Sequence, residues 1–229
     1  MTWLFDFWRS LIGGKVTMAI TGLLLFGFVV AHLIGNLQLF GKPELINDYA
    51  KFLAGKPVLL WIARSGLFVV FVLHIAIGVR LARQNRAARP VAYEREATIV
   101  ATYASRSMLL TGLSLLVFTV YHVLHFTLGV TNPADFARKA AGADGHDVHA
   151  MVTASFGNPA IVAAYVAFQL VLFFHLKHGI QSLAQTLGLD HGRVRPIVQK
   201  LSLLFAALVA GGNLLLALSV LTGFVKVAP

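Results

Sequence analysis

Five long apolar stretches alternate with polar segments along the chain, roughly Val16–Phe40, Val58–Leu81, Ser107–Val130, Ala160–Leu183 and Ile197–Phe224. Each has enough residues, at about 1.5 Å of rise apiece, to cross a hydrocarbon layer about 30 Å thick. Backbone polar groups in lipid must be satisfied within the segment, which predicts helices. The short alternating strands of a membrane barrel do not fit continuous runs of this length. The first stretch is too long for a signal-peptide core, and no small-residue cleavage site closes it, so it reads as retained. The pattern predicts an all-α integral membrane bundle of five transmembrane helices in one membrane domain, residues 1–229. The longest loop, about Thr131–Pro159, shows no apolar periodicity that would make a core of its own. His146 and His149 in that loop, and His191 in another, are expected to be solvated.

Composition strengthens the membrane reading. Hydrophobic residues make up 58% of the 229 and charged residues 12%, against about 45–50% and about 25% in ordinary soluble domains. Mean hydropathy is +0.77. There is no cysteine, so disulfides, thiolate metal sites and Cys-ligated iron–sulfur clusters within this chain are excluded. The formal charge of +10 suits cytoplasmic loops and lipid headgroups rather than nucleic acid.

The placement of the basic residues predicts orientation. With five spans, one face carries the N-terminal segment and the segments Arg80–Arg106 and Lys177–Lys200. It holds twelve Lys and Arg against seven on the opposite face, and Arg80, Arg83, Arg86, Arg89, Arg95 and Arg106 fall in one segment. This places the N-terminus on the cytoplasmic side. The first, third and fifth spans then run outward.

No phosphate loop, nucleophile motif or dinucleotide fingerprint is present, and every Asp and Glu lies in a terminus or loop. The ionisable residues deep in the spans are histidines, which mark function by default at such depth. They are His32 in the first span, His74 in the second, His122 and His125 in the third, and His175 and His178 in the fourth. His32, His74, His122 and His175 each lie about 24–27 Å beyond the polar entry of their helix. Because successive helices enter from opposite faces, His32 and His122 share an outer depth, and His74 and His175 an inner one. Paired imidazoles from facing helices suit axial ligation of haem. Two pairs at different heights do not make one four-ligand zinc centre. Gly78, Gly179 and Gly129 each follow a histidine by four residues, and the first two leave room for a flat macrocycle.

Haem propionates need partners near the faces. Ser105, Arg106, Lys177 and Gln181 are candidates on the inner side, and Asn36, Gln38 and Arg64 on the outer side. Capping, snorkelling and interface anchoring compete for the same residues. His178 and His125 are candidates for a propionate or backbone hydrogen bond near the bundle ends.

The strings AHLIGNLQLF around His32, VLHIAIGVRL around His74, ASRSMLLTG before His122 and FFHLKHGIQSLAQTLGL around His175 carry a resemblance over nearly the whole chain. In this order and spacing they resemble the single-polypeptide cytochrome b anchor of succinate dehydrogenase or fumarate reductase, in its five-helix, two-haem form. The resemblance implies two haem b groups, one on His32 and His122 and one on His74 and His175, with His125 and His178 outside the ligand positions. It implies a bacterial cytoplasmic membrane, a flavoprotein subunit with covalent FAD and an iron–sulfur subunit, both docked on the cytoplasmic face. It also implies a membrane quinone, usually menaquinone, for which Glu44 and His125, with Asn36 and Gln38, are candidate contacts beside the outer pair. Some fumarate reductases of this kind carry a glutamate two positions before the fourth-span ligand. Phe173 stands there in this chain, which favours succinate oxidation.

Two rival readings are a cytochrome b subunit serving a hydrogenase or formate dehydrogenase, and a transporter with histidines in its pathway. The first is separated by the partner that co-purifies. The second is disfavoured by unbroken spans without midplane carboxylates.

Overall fold

The computed structural model describes residues 2–88, 103–137 and 146–226. Arg89 and Arg95, named above, lie outside them. The described residues are overwhelmingly helical, and five helices are long and apolar enough to cross a membrane.

A short helix, α1 (Thr2–Arg9), precedes the first span, α2 (Leu11–Asn36). Ser10 caps α2 by accepting from the Gly13 amide at 2.9 Å, while its hydroxyl donates to the Phe7 carbonyl at 2.7 Å, a two-way cap that turns the chain. A 3₁₀ turn (Leu37–Phe40) extends α2, and a surface helix, α3 (Pro43–Ala54), follows. The second span is α4 (Pro57–Ala87). After a one-turn helix, α5 (Tyr103–Arg106), the third span, α6 (Met108–His122), ends in a π-helical turn (Val123–Thr127). A further one-turn helix, α7 (Pro133–Phe136), leads to α8 (Val148–Phe156). The last spans are α9 (Pro159–Thr186) and α10 (Arg195–Leu221). Proline at the first turn of α3, α4, α9 and α10 starts each helix where the missing N–H costs nothing.

The spans pack as a ring: α2 on α4, α4 on α6, α6 on α9, and α9 back on α2. Helix α10 lies outside the ring against α9 and α2, which is why it can lack a histidine. The two ends differ. At the far face from the N-terminus, Leu33, Leu39, Ile46, Phe156, Val162, Tyr165, Leu216 and Val220 form a packed core, with α3 and α8 lying together over the bundle. At the N-terminal face, Arg80 of α4 donates to the Trp8 and Ser10 carbonyls at 2.8 and 3.4 Å, and also to the Arg9 carbonyl. One guanidinium thereby satisfies the C-terminal carbonyls of α1.

The loop before α9 departs from its expectation. It contains α8, capped by the Asp147 carboxylate on the Ala150 amide at 2.9 Å, and His149, Ala150, Met151, Thr153, Ser155 and Phe156 of that helix are buried. His149 is therefore a packed residue, 5% exposed, while His146 and His191 are exposed. Nine residues of mixed polarity give too weak a period to show such a face in the sequence.

Candidate histidine pairs within the bundle

The ring of helices brings four histidines into two facing pairs. His32 of α2 and His122 of α6 have ring centroids 5.7 Å apart with planes crossed at 89°. His74 of α4 and His175 of α9 are 6.5 Å apart, crossed at 67°. Thr21 of α2 reaches His74, and Thr21 stands eleven residues before His32. The two pairs are thus separated by about 16 Å along the bundle. His74 and His175 lie towards the N-terminal face, His32 and His122 towards the far face.

The N-face pair is held by a repeated device. Thr21 Oγ1 lies 3.0 Å from His74 Nδ1, and Thr111 Oγ1 lies 3.1 Å from His175 Nδ1. Beside each threonine is a glycine against the same ring. A Cβ on Gly22 would meet His74 Cε1 at 3.3 Å, and one on Gly112 would meet His175 Cε1 at 3.4 Å. The sequence repeats accordingly: Met18, Thr21, Gly22 and His32 recur at the same spacing as Met108, Thr111, Gly112 and His122. Eleven residues are close to three helical turns, so threonine and histidine share one helix face.

The far-face pair is held differently. Tyr165 of α9 places its hydroxyl 3.3 Å from His122 Nδ1 and 3.0 Å from His125 Nδ1, and His125 Nε2 lies 3.1 Å from Ser155 Oγ of α8. His125 is 1% exposed. The π-helical turn carries it, closed by the Leu128 amide on the Val123 carbonyl at 2.9 Å. Such turns recur at functional sites. His32 stacks on Phe28 at 5.6 Å and has no hydrogen-bond partner among the described residues.

The remaining sequence candidates scatter between the faces. His125 has both ring nitrogens bonded within the protein, which leaves neither free for a quinone. Gln181 donates to Ser202 Oγ at 2.8 Å, tying α9 to the buried Ser202 of α10. Arg64 sits exposed in the far third of α4, its guanidinium 5.5 Å from the Trp61 ring, with no acidic partner among the described residues. Lys177 and His178 are half-buried on α9, Arg106 is exposed at the start of the third span, and Ser105 is half-buried beside it. Asn36 and Gln38 are half-buried where α2 ends, and Glu44 is exposed in the first turn of α3. Gly179 faces open space, whereas Gly78 faces Met18 and Gly129 turns the chain at φ +65° against Phe136.

Two imidazoles bound end-on to opposite sides of one metal atom, each at about 2 Å, hold their ring centres about 6 Å apart. Both pairs fit that span. Among the described residues no three metal-ligating side chains converge, so each site offers two ligands and suits a metal whose other ligands come with it, as in haem. The threonines, Tyr165 and Ser155 escaped the sequence reading. The repeated Thr-Gly at fixed distance before His32 and His122 was the available signal.

A family model described as the succinate dehydrogenase/fumarate reductase transmembrane subunit matches residues 82–212, more than half of the chain. The match includes His122 and His175, while His32 and His74 precede it. No curated protein and no solved structure matches the chain.

Proposed function

We propose, from the premise that this chain belongs to the succinate dehydrogenase/fumarate reductase transmembrane subunit family, that it is the di-haem cytochrome b anchor of a succinate:quinone oxidoreductase. The observation that carries the reading is the facing of His32 with His122 and of His74 with His175 at two depths. Haem b, when bound at each pair, supplies a one-electron couple between an iron–sulfur subunit and a membrane quinone. The chain's own residues do the rest. The four imidazoles would offer their ring nitrogens to the iron, one pair to each group. Arg64 is exposed on α4, its guanidinium against the Trp61 ring and with no acidic partner among the described residues, and a haem propionate would supply the missing counter-charge. Lys177, His178, Arg106 and Ser105 have the matching role at the N-terminal face, and Asn36 and Gln38 contribute polar groups near the far one. Glu44 in α3 is a candidate quinone contact there.

The excess of basic residues supports a cytoplasmic N-terminal face, the side proposed to dock the flavoprotein and iron–sulfur subunits. Succinate is handled in the flavoprotein, since this chain has no residues equipped for it. Menaquinone is the quinone proposed, reduced near the far, outer face of a bacterial cytoplasmic membrane.

The test is a reduced-minus-oxidised visible spectrum with a haem-to-protein ratio on the purified complex. Two low-spin haem b per chain, co-purifying with a flavoprotein and an iron–sulfur protein, are expected. A pigment-free preparation would overturn the reading, and a hydrogenase or formate dehydrogenase partner would reassign it.

A further inference from the structure

We propose that Thr21 and Thr111 are paired positioning residues that hold the N-face histidines in one tautomer and orientation, with Nε2 unprotonated and available to metal. A threonine inside a membrane helix ordinarily bonds back to a carbonyl one turn earlier, and both do. Thr21 Oγ1 donates to the Thr17 carbonyl at 2.8 Å, and Thr111 Oγ1 donates to the Met108 carbonyl at 3.1 Å. A hydroxyl has one proton. With that proton on the helix carbonyl, the oxygen can only accept from the imidazole 3.0 or 3.1 Å away. His74 and His175 must therefore each carry their proton on Nδ1 and leave Nε2 bare. Gly22 and Gly112 let each ring lie close against the helix that bears its threonine.

This rests on the haem reading of the N-face pair. An acceptor on the remote N–H of a metal-bound imidazole fixes its orientation and raises its basicity. A more basic ligand favours the ferric state, so both threonines hold the potential of this haem down. The repeated Met-x-x-Thr-Gly unit supplies the same acceptor from α2 to α4 and from α6 to α9, one for each ligand of a single haem.

The experiment uses the whole complex with Thr21→Val, Thr111→Val, Thr21→Ser and Thr111→Ser. Haem content, low-temperature electron paramagnetic resonance and a spectroelectrochemical titration are measured. His74→Ala identifies the N-face haem by the signal it removes. In the valine variants that haem should titrate at a more positive potential, show altered g values, and be held about 10-fold or more less tightly. The serine variants should return all three towards the unmodified complex, and the other haem should not move. Valine variants indistinguishable from the unmodified complex would overturn the proposal, as would serine variants that fail to restore it, since that result points to packing. A His74→Ala complex that keeps its full haem content would overturn the haem reading itself, a failure visible before any threonine is changed.

Discussion

At the N-terminal face each histidine of the pair meets a threonine from a neighbouring helix and a glycine beside it, in two copies of one motif. At the far face His122 shares Tyr165 with a third histidine, His125, which in turn reaches Ser155 of α8, while His32 has ring contacts and no hydrogen bond among the described residues. The same two-imidazole chemistry is thus supported once by a local, repeated device and once by a network crossing three segments of the fold. A local device depends on two side chains and a close approach of helices. A network depends on every member being satisfied, because a half-satisfied buried network costs more than an apolar one.

The contrast can be broken most severely at the close approaches. Gly22→Leu or Gly112→Leu adds an isobutyl group where a bare Cβ already meets the ring at 3.3 or 3.4 Å. Either variant should lose the N-face haem and keep the other, read as a halved haem-to-protein ratio. Loss of both haems would mean that the bundle, and not one site, had been disrupted. Tyr165→Phe acts on the other region. It removes the hydroxyl shared by His122 and His125, and the buried His125 left short of a partner costs about 1–3 kcal/mol. A lowered melting temperature and an altered far-face haem signal are expected, with the N-face signal unchanged.

Smaller effects sharpen the comparison. Asn47 of α3 donates to the Asp147 carboxylate and accepts from the His149 amide, both at 3.0 Å. Asn47→Ala should loosen α3 from α8 by about 1 kcal/mol, seen as faster hydrogen exchange in α8 and none in α4. Gly66→Ala is the quiet control, since a Cβ there meets nothing within 4 Å. It should change stability by less than about 0.5 kcal/mol and move neither haem signal.

The spans were legible because lipid demands long apolar helices, and the described boundaries fall within a few residues of the expected ones except where α4 runs on to Ala87 and α2 starts at Leu11. The depth argument for the four histidines needed only helical rise and alternating direction, and the structure brings the same residues face to face. The partners of those histidines were less legible. Thr21 and Thr111 look like any helix threonine until the neighbouring helix is placed beside them. His125 was separated from His122 by one turn in the sequence, but the π-helical turn and α8 decide what its nitrogens touch. His149 looked solvated because α8 is short and its buried face includes polar residues that bond to the backbone, as Thr153 does to the His149 carbonyl at 2.8 Å.

The central claim is that histidines of alternate helices pair, α2 with α6 and α4 with α9. It is tested most directly by haem content and low-temperature spectra of the complex carrying His32→Ala, His74→Ala, His122→Ala or His175→Ala. The account predicts two classes of variant. His74→Ala and His175→Ala should lose or convert one and the same haem, and His32→Ala and His122→Ala the other. A His74→Ala variant that loses the haem also lost with His32→Ala would contradict it.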